Sequence, residues 1–163
     1  MRSSLPILLL IAALAAVPAT GHAALRQVPE PWATVNVCDT ETSPNQMGIR
    51  GGMSGLVRTS RMFMRFRVQY RNEKGRWRTV QSGADSRWRK VAWGRGGEHD
   101  AGWTFEFKPP ASGGAHLLRG LVSFQWRRHG RVIQRDRRFT EAGHPGTAGA
   151  EPGDFSAATC AIA

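Results

Sequence analysis

Cysteine is nearly absent from this 163-residue chain, which has two, Cys38 and Cys160. Two thiols build neither an all-cysteine zinc site nor a disulfide-dense mini-scaffold. Acidic residues are also few, 12 Asp+Glu against 23 Lys+Arg, so the formal net charge is +11. Lysine is scarce too, since Arg outnumbers it 20 to 3. Signatures of the common enzyme classes are missing: there is no H-E-x-x-H, no P-loop and no G-x-G-x-x-G in a strand–helix context. Residues 52–56 (GMSGL) begin like a nucleophile elbow, but Leu56 replaces the final Gly and no strand–helix pattern surrounds them. Internal repeats and coiled-coil heptads are lacking. What remains fits one folded domain, because 40% hydrophobic residues is too much for wholesale disorder.

Residues 1–24 read as a secretory signal peptide. Arg2 supplies the positive start, residues 5–17 are apolar except for Pro6, and Ala23 and Ala24 suit cleavage. The run falls short of the ~20 residues needed to span a bilayer. No later segment is apolar enough to span, and no Cys stands at the cleavage point. Residues 25–163 are therefore expected as one exported domain, secreted, extracellular or at the cell envelope. In an oxidising compartment Cys38 and Cys160 are expected to form a disulfide; free thiols or an intermolecular bridge are the alternatives.

Alternation dominates that domain. Met62, Met64, Phe66, Val68 and Tyr70 alternate with Arg65, Arg67, Gln69 and Arg71, the pattern of a half-buried strand. Phe63 is the apolar exception on the polar side. Residues 72–75 form a turn candidate, after which residues 76–80 resume the alternation. With Arg71 opposite Arg76, Tyr70 faces Trp77, and Arg65, Arg67, Arg71, Arg76 and Arg78 share one outer face. Trp103, Phe105 and Phe107 form another apolar row, ended by Pro109 and Pro110. Leu118, Val122, Phe124 and Trp126 form a third, with Arg119, Leu121, Ser123, Gln125 and Arg127 opposite. His129 and Gly130 make a tight turn, and residues 131–140 return as a charged edge strand. Short strands are expected at 33–37, 48–53, 87–93 and 156–159. About seven short strands with Gly/Pro turns and no helical period argue an all-β fold, a single antiparallel β-sandwich.

Chemistry is harder to find than fold. After the leader the histidines are His99, His116, His129 and His144, each in or beside a predicted loop and without ligand-like spacing. No catalytic residue, metal site or cofactor is expected. Glu98, His99 and Asp100 form the densest polar cluster, in the Gly-rich stretch 94–102, and carry the alternative reading of an envelope hydrolase. The Gly/Pro-rich loop at 141–154 reads as a mobile segment; its alternative is a binding element, as in an inhibitor or adhesin-type module. Trp77, Trp103 and Trp126 are expected in the core. Trp88 and Trp93 flank basic residues, where they are either partly buried or stacked on a ligand ring.

The arginine excess is the functional lead. Guanidinium groups bind phosphate and carboxylate bidentately and stack on aromatic rings. Arg65, Arg67, Arg71, Arg76 and Arg78 are the candidate anion-binding residues. An anionic cell-envelope polymer or membrane surface is the expected partner; no specific nucleic-acid motif is present, and no protein partner is indicated. GC-rich coding and a simple solvated face explain the same composition. The expected function is an exported, non-catalytic binding or structural module at the cell envelope.

The stretches at 32–39 (WATVNVCD), 107–110 (FKPP), 124–127 (FQWR) and 156–160 (SAATC) resemble those of a group of uncharacterised secreted proteins of GC-rich Gram-positive bacteria. That resemblance spans most of the domain and implies an exported single domain without an assigned activity. In general architecture the strand pattern is also similar to immunoglobulin-like sandwiches. The cysteines depart from the antibody pattern, because they stand at the chain ends rather than on two internal strands.

Overall fold

The computed structural model describes residues 29–163, apart from positions 57, 59, 95 and 112. The expected leader at 1–24 lies outside them. Nine strands follow in order: β1 Trp32–Cys38, β2 Gln46–Ser54, β3 Arg61–Arg71, β4 Trp77–Thr79, β5 Arg89–Trp93, β6 Glu98–Glu106, β7 His116–Arg128, β8 Arg131–Phe139 and β9 Cys160–Ile162. No helix occurs among the described residues. Two antiparallel sheets face each other, so the fold is the all-β sandwich that the alternation predicts. The smaller sheet has the order β1-β2-β6; the larger has β4-β3-β7-β8, with β5 also on β3 and β9 on β7.

The core forms where apolar alternation is strictest. Met62, Met64, Phe66 and Val68 of β3 are buried, as are Leu118, Val122, Phe124 and Trp126 of β7. Pairing sets Met64 beside Phe124 and Phe66 beside Val122, so both rows point inward. From the smaller sheet, Ala33, Val35, Met47, Ile49, Met53 and Phe105 meet them. Gly120 interrupts the β7 row for a steric reason. A Cβ there would lie 2.6 Å from Thr140 Cγ2 and 2.9 Å from Ile49 Cδ1. Ile49 of the facing sheet thus packs directly on the β7 backbone. Trp126 adds a polar tie, since its indole N–H donates to the Ser54 carbonyl at 2.7 Å.

The two sheets are also joined covalently. Cys38, at the end of β1, is bonded to Cys160, at the start of β9, with Cα atoms 5.4 Å apart and a sequence separation of 122. The segment preceding β9 runs along the free edge of β1. Val35 exchanges backbone hydrogen bonds of 2.9 and 3.0 Å with Ala157, Glu151 donates to Asn36 at 2.8 Å, and Glu141 donates to Ala33 at 2.8 Å. Side chains extend the contact: the Thr34 and Ser156 hydroxyls lie 2.8 Å apart, and His144 stacks on Trp32 at 4.6 Å. Thr40, Thr42 and Ser43 all hydrogen-bond Glu151, holding its carboxyl below its ordinary pKa. The edge of β1 therefore has backbone partners, which is one way a sheet avoids unwanted pairing.

Three local expectations are corrected. Residues 156–159 contribute the bridge at Ala157 rather than a strand, and β9 begins at Cys160. The Gly-rich stretch 94–102 is mostly not a loop: β6 starts at Glu98, because Ser54, Met53 and Gly52 of the long β2 supply backbone partners for residues 98–100. In the β3–β4 hairpin, Arg71 pairs with Trp77 and Tyr70 with Arg78, one residue away from the expected register. The cause is a tighter closure. Asn72 N–H donates to the Arg76 carbonyl at 2.9 Å, Asn72 Oδ1 accepts from Arg76 N–H at 2.9 Å, and Gly75 adopts φ +71°. That leaves a three-residue loop with glycine in its left-handed position. A one-residue slip turns every β4 side chain to the opposite face.

Candidate functional site

Pairing across the larger sheet builds rows of side chains on its outer face. One row reads Arg65–Ser123–Arg137, the next Phe63–Gln125–Arg135, and on the other side Arg67–Leu121–Phe139. Arg61 lies beside Arg127 and Gln69 beside Arg119. Strands β3, β7 and β8 thus deliver arginines to one surface. Of the predicted anion-binding set, Arg65, Arg67 and Arg71 are on this face. The register slip turns Arg76 and Arg78 to the other side, where they line a groove with Tyr70, Glu73 and Lys74 that Arg71 also borders.

The same slip brings Trp77 out of the expected core and onto this face. There the Arg119 guanidinium lies 4.3 Å from the Trp77 ring centroid and 3.8 Å from that of Phe139. Arg127 lies 4.2 Å from Phe63 and 5.6 Å from Trp88, and Arg61 lies 5.4 Å from Trp93. Phe63, the apolar exception in β3, is therefore a platform for an arginine. A stacked guanidinium is fixed in orientation and keeps its N–H donors in the plane of the group, available sideways. Arg119 uses one of them on Gln69 Oε1 at 2.9 Å. Of the other tryptophans, Trp126 is fully buried, Trp103 is half-buried against the core under Arg89, and Trp93 is 62% exposed.

Few carboxylates oppose these charges. Among the described residues, Arg65 is the arginine of this face that forms an ion pair, a two-pronged one with Asp85 whose Nε–Oδ1 contact is 2.8 Å. Hydrogen bonding from Arg65 holds Asp85 down to about 2. A depressed carboxylate pKa stabilises the fold above the unfolded value, and the contribution disappears as pH falls through the folded value. The pair is expected to weaken between about pH 4 and about pH 2. Asp85→Asn should shrink the loss of stability across that window by about 1 kcal/mol, read as the difference between urea midpoints at its two ends.

Arg67 lies beside this pair without one of its own. Its Nε is buried and has no hydrogen-bond partner among the described residues. Burial, then the like charge of Arg65, lowers its pKa against the pull of Asp85, and Arg137 lowers it further. A partly desolvated cation with an unsatisfied donor gains from an incoming anion. Nearby, Trp88, Ser123, Phe124, Gln125, Arg135, Asp136 and Arg137 line a groove of about 440 Å³. The arginines of β7 and β8 escaped the sequence assignment because strand neighbours, unlike strand alternation, are not written locally. The polar row opposite Leu118–Trp126 was the available signal.

The Glu98–His99–Asp100 cluster is divided by its strand. Glu98 and Asp100 point outward from β6, where Glu98 accepts from the Trp32 indole and Asp100 pairs with Arg50 at 2.7 Å. His99 pairs with the buried Met53 and points to the inner side. His116 begins β7, His129 sits in the β7–β8 turn and His144 stacks on Trp32. Among the described residues, no three His, Cys, Asp or Glu side chains gather closely enough to hold a metal ion.

No protein-family model matches this chain, and no curated protein is similar to it.

Proposed function

We propose that this protein is an exported, non-catalytic β-sandwich module that binds an anionic polymer or surface at the cell envelope. The observation that carries the reading is the outer face of the larger sheet. Arginines from three adjacent strands converge there, several fixed by aromatic rings, and among the described residues one of them, Arg65, forms an ion pair. A merely solvated face has no need of orienting platforms beneath its charges. The signal-peptide pattern supports export, and the Cys38–Cys160 bridge suits an oxidising compartment. An immunoglobulin-like topology and kinship with secreted proteins of GC-rich Gram-positive bacteria are parts of the same proposal.

The test is co-sedimentation of the oxidised protein with isolated cell walls, anionic liposomes and DNA over a salt series. Retention by at least one of them at about 0.15 M salt is expected, where the Debye length is about 8 Å. The triple variant Arg61→Gln/Arg67→Gln/Arg71→Gln is expected to lose most of it. On DNA, each phosphate contact removed should flatten the log–log salt slope by about 1. Unchanged retention and slope in the triple variant would rule out this face.

A further inference from the structure

The groove beside Trp88 is more selective in its lining than a basic surface requires. It spans the rows Arg65–Ser123–Arg137 and Phe63–Gln125–Arg135. Ser123 and Gln125 form its floor, Trp88 a wall, and Arg135 and Arg137 its charged rim; Phe124 and Asp136 complete the lining, the Asp136 carboxylate being ion-paired with Arg138 at 3.1 Å and accepting from the Arg137 backbone N–H at 2.6 Å. Gln125 Oε1 accepts from Arg127 Nε and Nη2 at 2.9 and 2.6 Å, which fixes the amide and leaves its NH2 group as the remaining donor. Among the described residues, neither that NH2 nor the Ser123 hydroxyl has a hydrogen-bond partner, and neither Arg135 nor Arg137 has an ion-pair partner. The groove thus offers two guanidinium groups, an amide donor, a hydroxyl and one aromatic wall.

Each part answers a different part of one ligand. Guanidinium pairs call for a carboxylate or a phosphate. The amide and hydroxyl suit neutral hydroxyl groups on a ligand. An indole wall suits a ring with an apolar C–H face. Resting on the anion-binding reading above, we infer that the groove takes a carboxylated sugar ring of an acidic polysaccharide. The ring packs on Trp88, its hydroxyls meet Ser123 and Gln125, and its carboxylate lies between Arg135 and Arg137. A nucleic acid fits less well. Tracking single strands needs a succession of open aromatic platforms; Phe63 lies 4.2 Å from Arg127, and Trp77 and Phe139 flank Arg119, while Trp88 is more loosely covered, 5.6 Å from Arg127. An anionic lipid surface is attracted by the number of nearby basic residues and needs no neutral polar floor.

Titration calorimetry on the oxidised protein tests this at about 0.15 M salt. The probes are an oligogalacturonate, its uncharged oligogalactose counterpart, a single-stranded oligonucleotide and phosphatidylglycerol vesicles. The oligogalacturonate is expected to bind at least about ten-fold more tightly than each of the others. Trp88→Ala, and separately Arg135→Gln/Arg137→Gln, should each weaken it by about ten-fold or more. The double arginine variant, at exposed positions, carries the test if Trp88→Ala does not fold. Oligonucleotide or vesicles bound as tightly as the oligogalacturonate would overturn the sugar assignment while leaving the anion-binding face intact. So would oligogalacturonate binding indifferent to the folded variants. No probe bound at this salt would overturn both.

Discussion

Reduction of the Cys38–Cys160 bridge is expected to lower stability by about 5 kcal/mol, the chain-entropy value for a loop of this length. For a domain of this size that corresponds to a melting temperature lower by about 15 °C. The bridge is the covalent link between the smaller sheet, through β1, and the larger, through β9. Opening it releases the short C-terminal strand β9, whose ladder to β7 runs from His116 to Leu118. Thermal denaturation with and without reductant measures the effect, and the Cys38→Ala/Cys160→Ala variant in oxidising buffer must agree with it. A shift of only a few degrees in both would mean that the sandwich contacts alone hold β1 and β9 in place.

Trp126→Ala is expected to destabilise the protein by about 3–5 kcal/mol, the range for emptying a large aromatic site in a packed core. Trp126 is 1% exposed and packs in the shared core, and its indole satisfies the Ser54 carbonyl across the sandwich. Trp126→Phe separates the two contributions. It keeps most of the apolar contact and strands the carbonyl, so it should lose about 1–3 kcal/mol. Urea unfolding of both variants decides. A loss for Trp126→Ala no larger than for Trp126→Phe would place the tryptophan's contribution in the hydrogen bond rather than in packing. Either prediction removes a sizeable part of the roughly 5–15 kcal/mol that stabilises an ordinary domain.

Residue order made most of the fold legible, because period two is a local signal. Met62 to Tyr70 and Leu118 to Trp126 each show their buried side without any knowledge of neighbours. The disulfide was legible for another reason, as two cysteines in a chain that opens on a signal-peptide pattern have few ways to pair. What stayed hidden depended on register or on distant partners. Nothing in residues 71–77 shows whether the loop has three members or four, yet that choice decides the side on which Trp77, Arg76 and Arg78 emerge. Residues 141–158 lack periodicity because their backbone partners are on β1, more than a hundred positions earlier. The arginine-bearing face was half visible. Its β3 arginines announced themselves, but Arg119, Arg127, Arg135 and Arg137 joined them only once β7 was seated between β3 and β8.

The bridge between the first strand and the last has a mechanical consequence. Tension applied to the chain on either side of it travels along β1 to Cys38, crosses the sulfur–sulfur bond, and leaves through the residues after Cys160. Residues 39–159 are off that path. The elements exposed to the pull are β1, held on one side by β2 and on the other by Val35–Ala157 and its neighbours, and β9, held by the start of β7. The strands that carry the arginine face therefore lie off the direct path, meeting it only where β9 pairs with the first residues of β7, and a module tethered by its ends would keep that surface in shape while the chain around it is stretched.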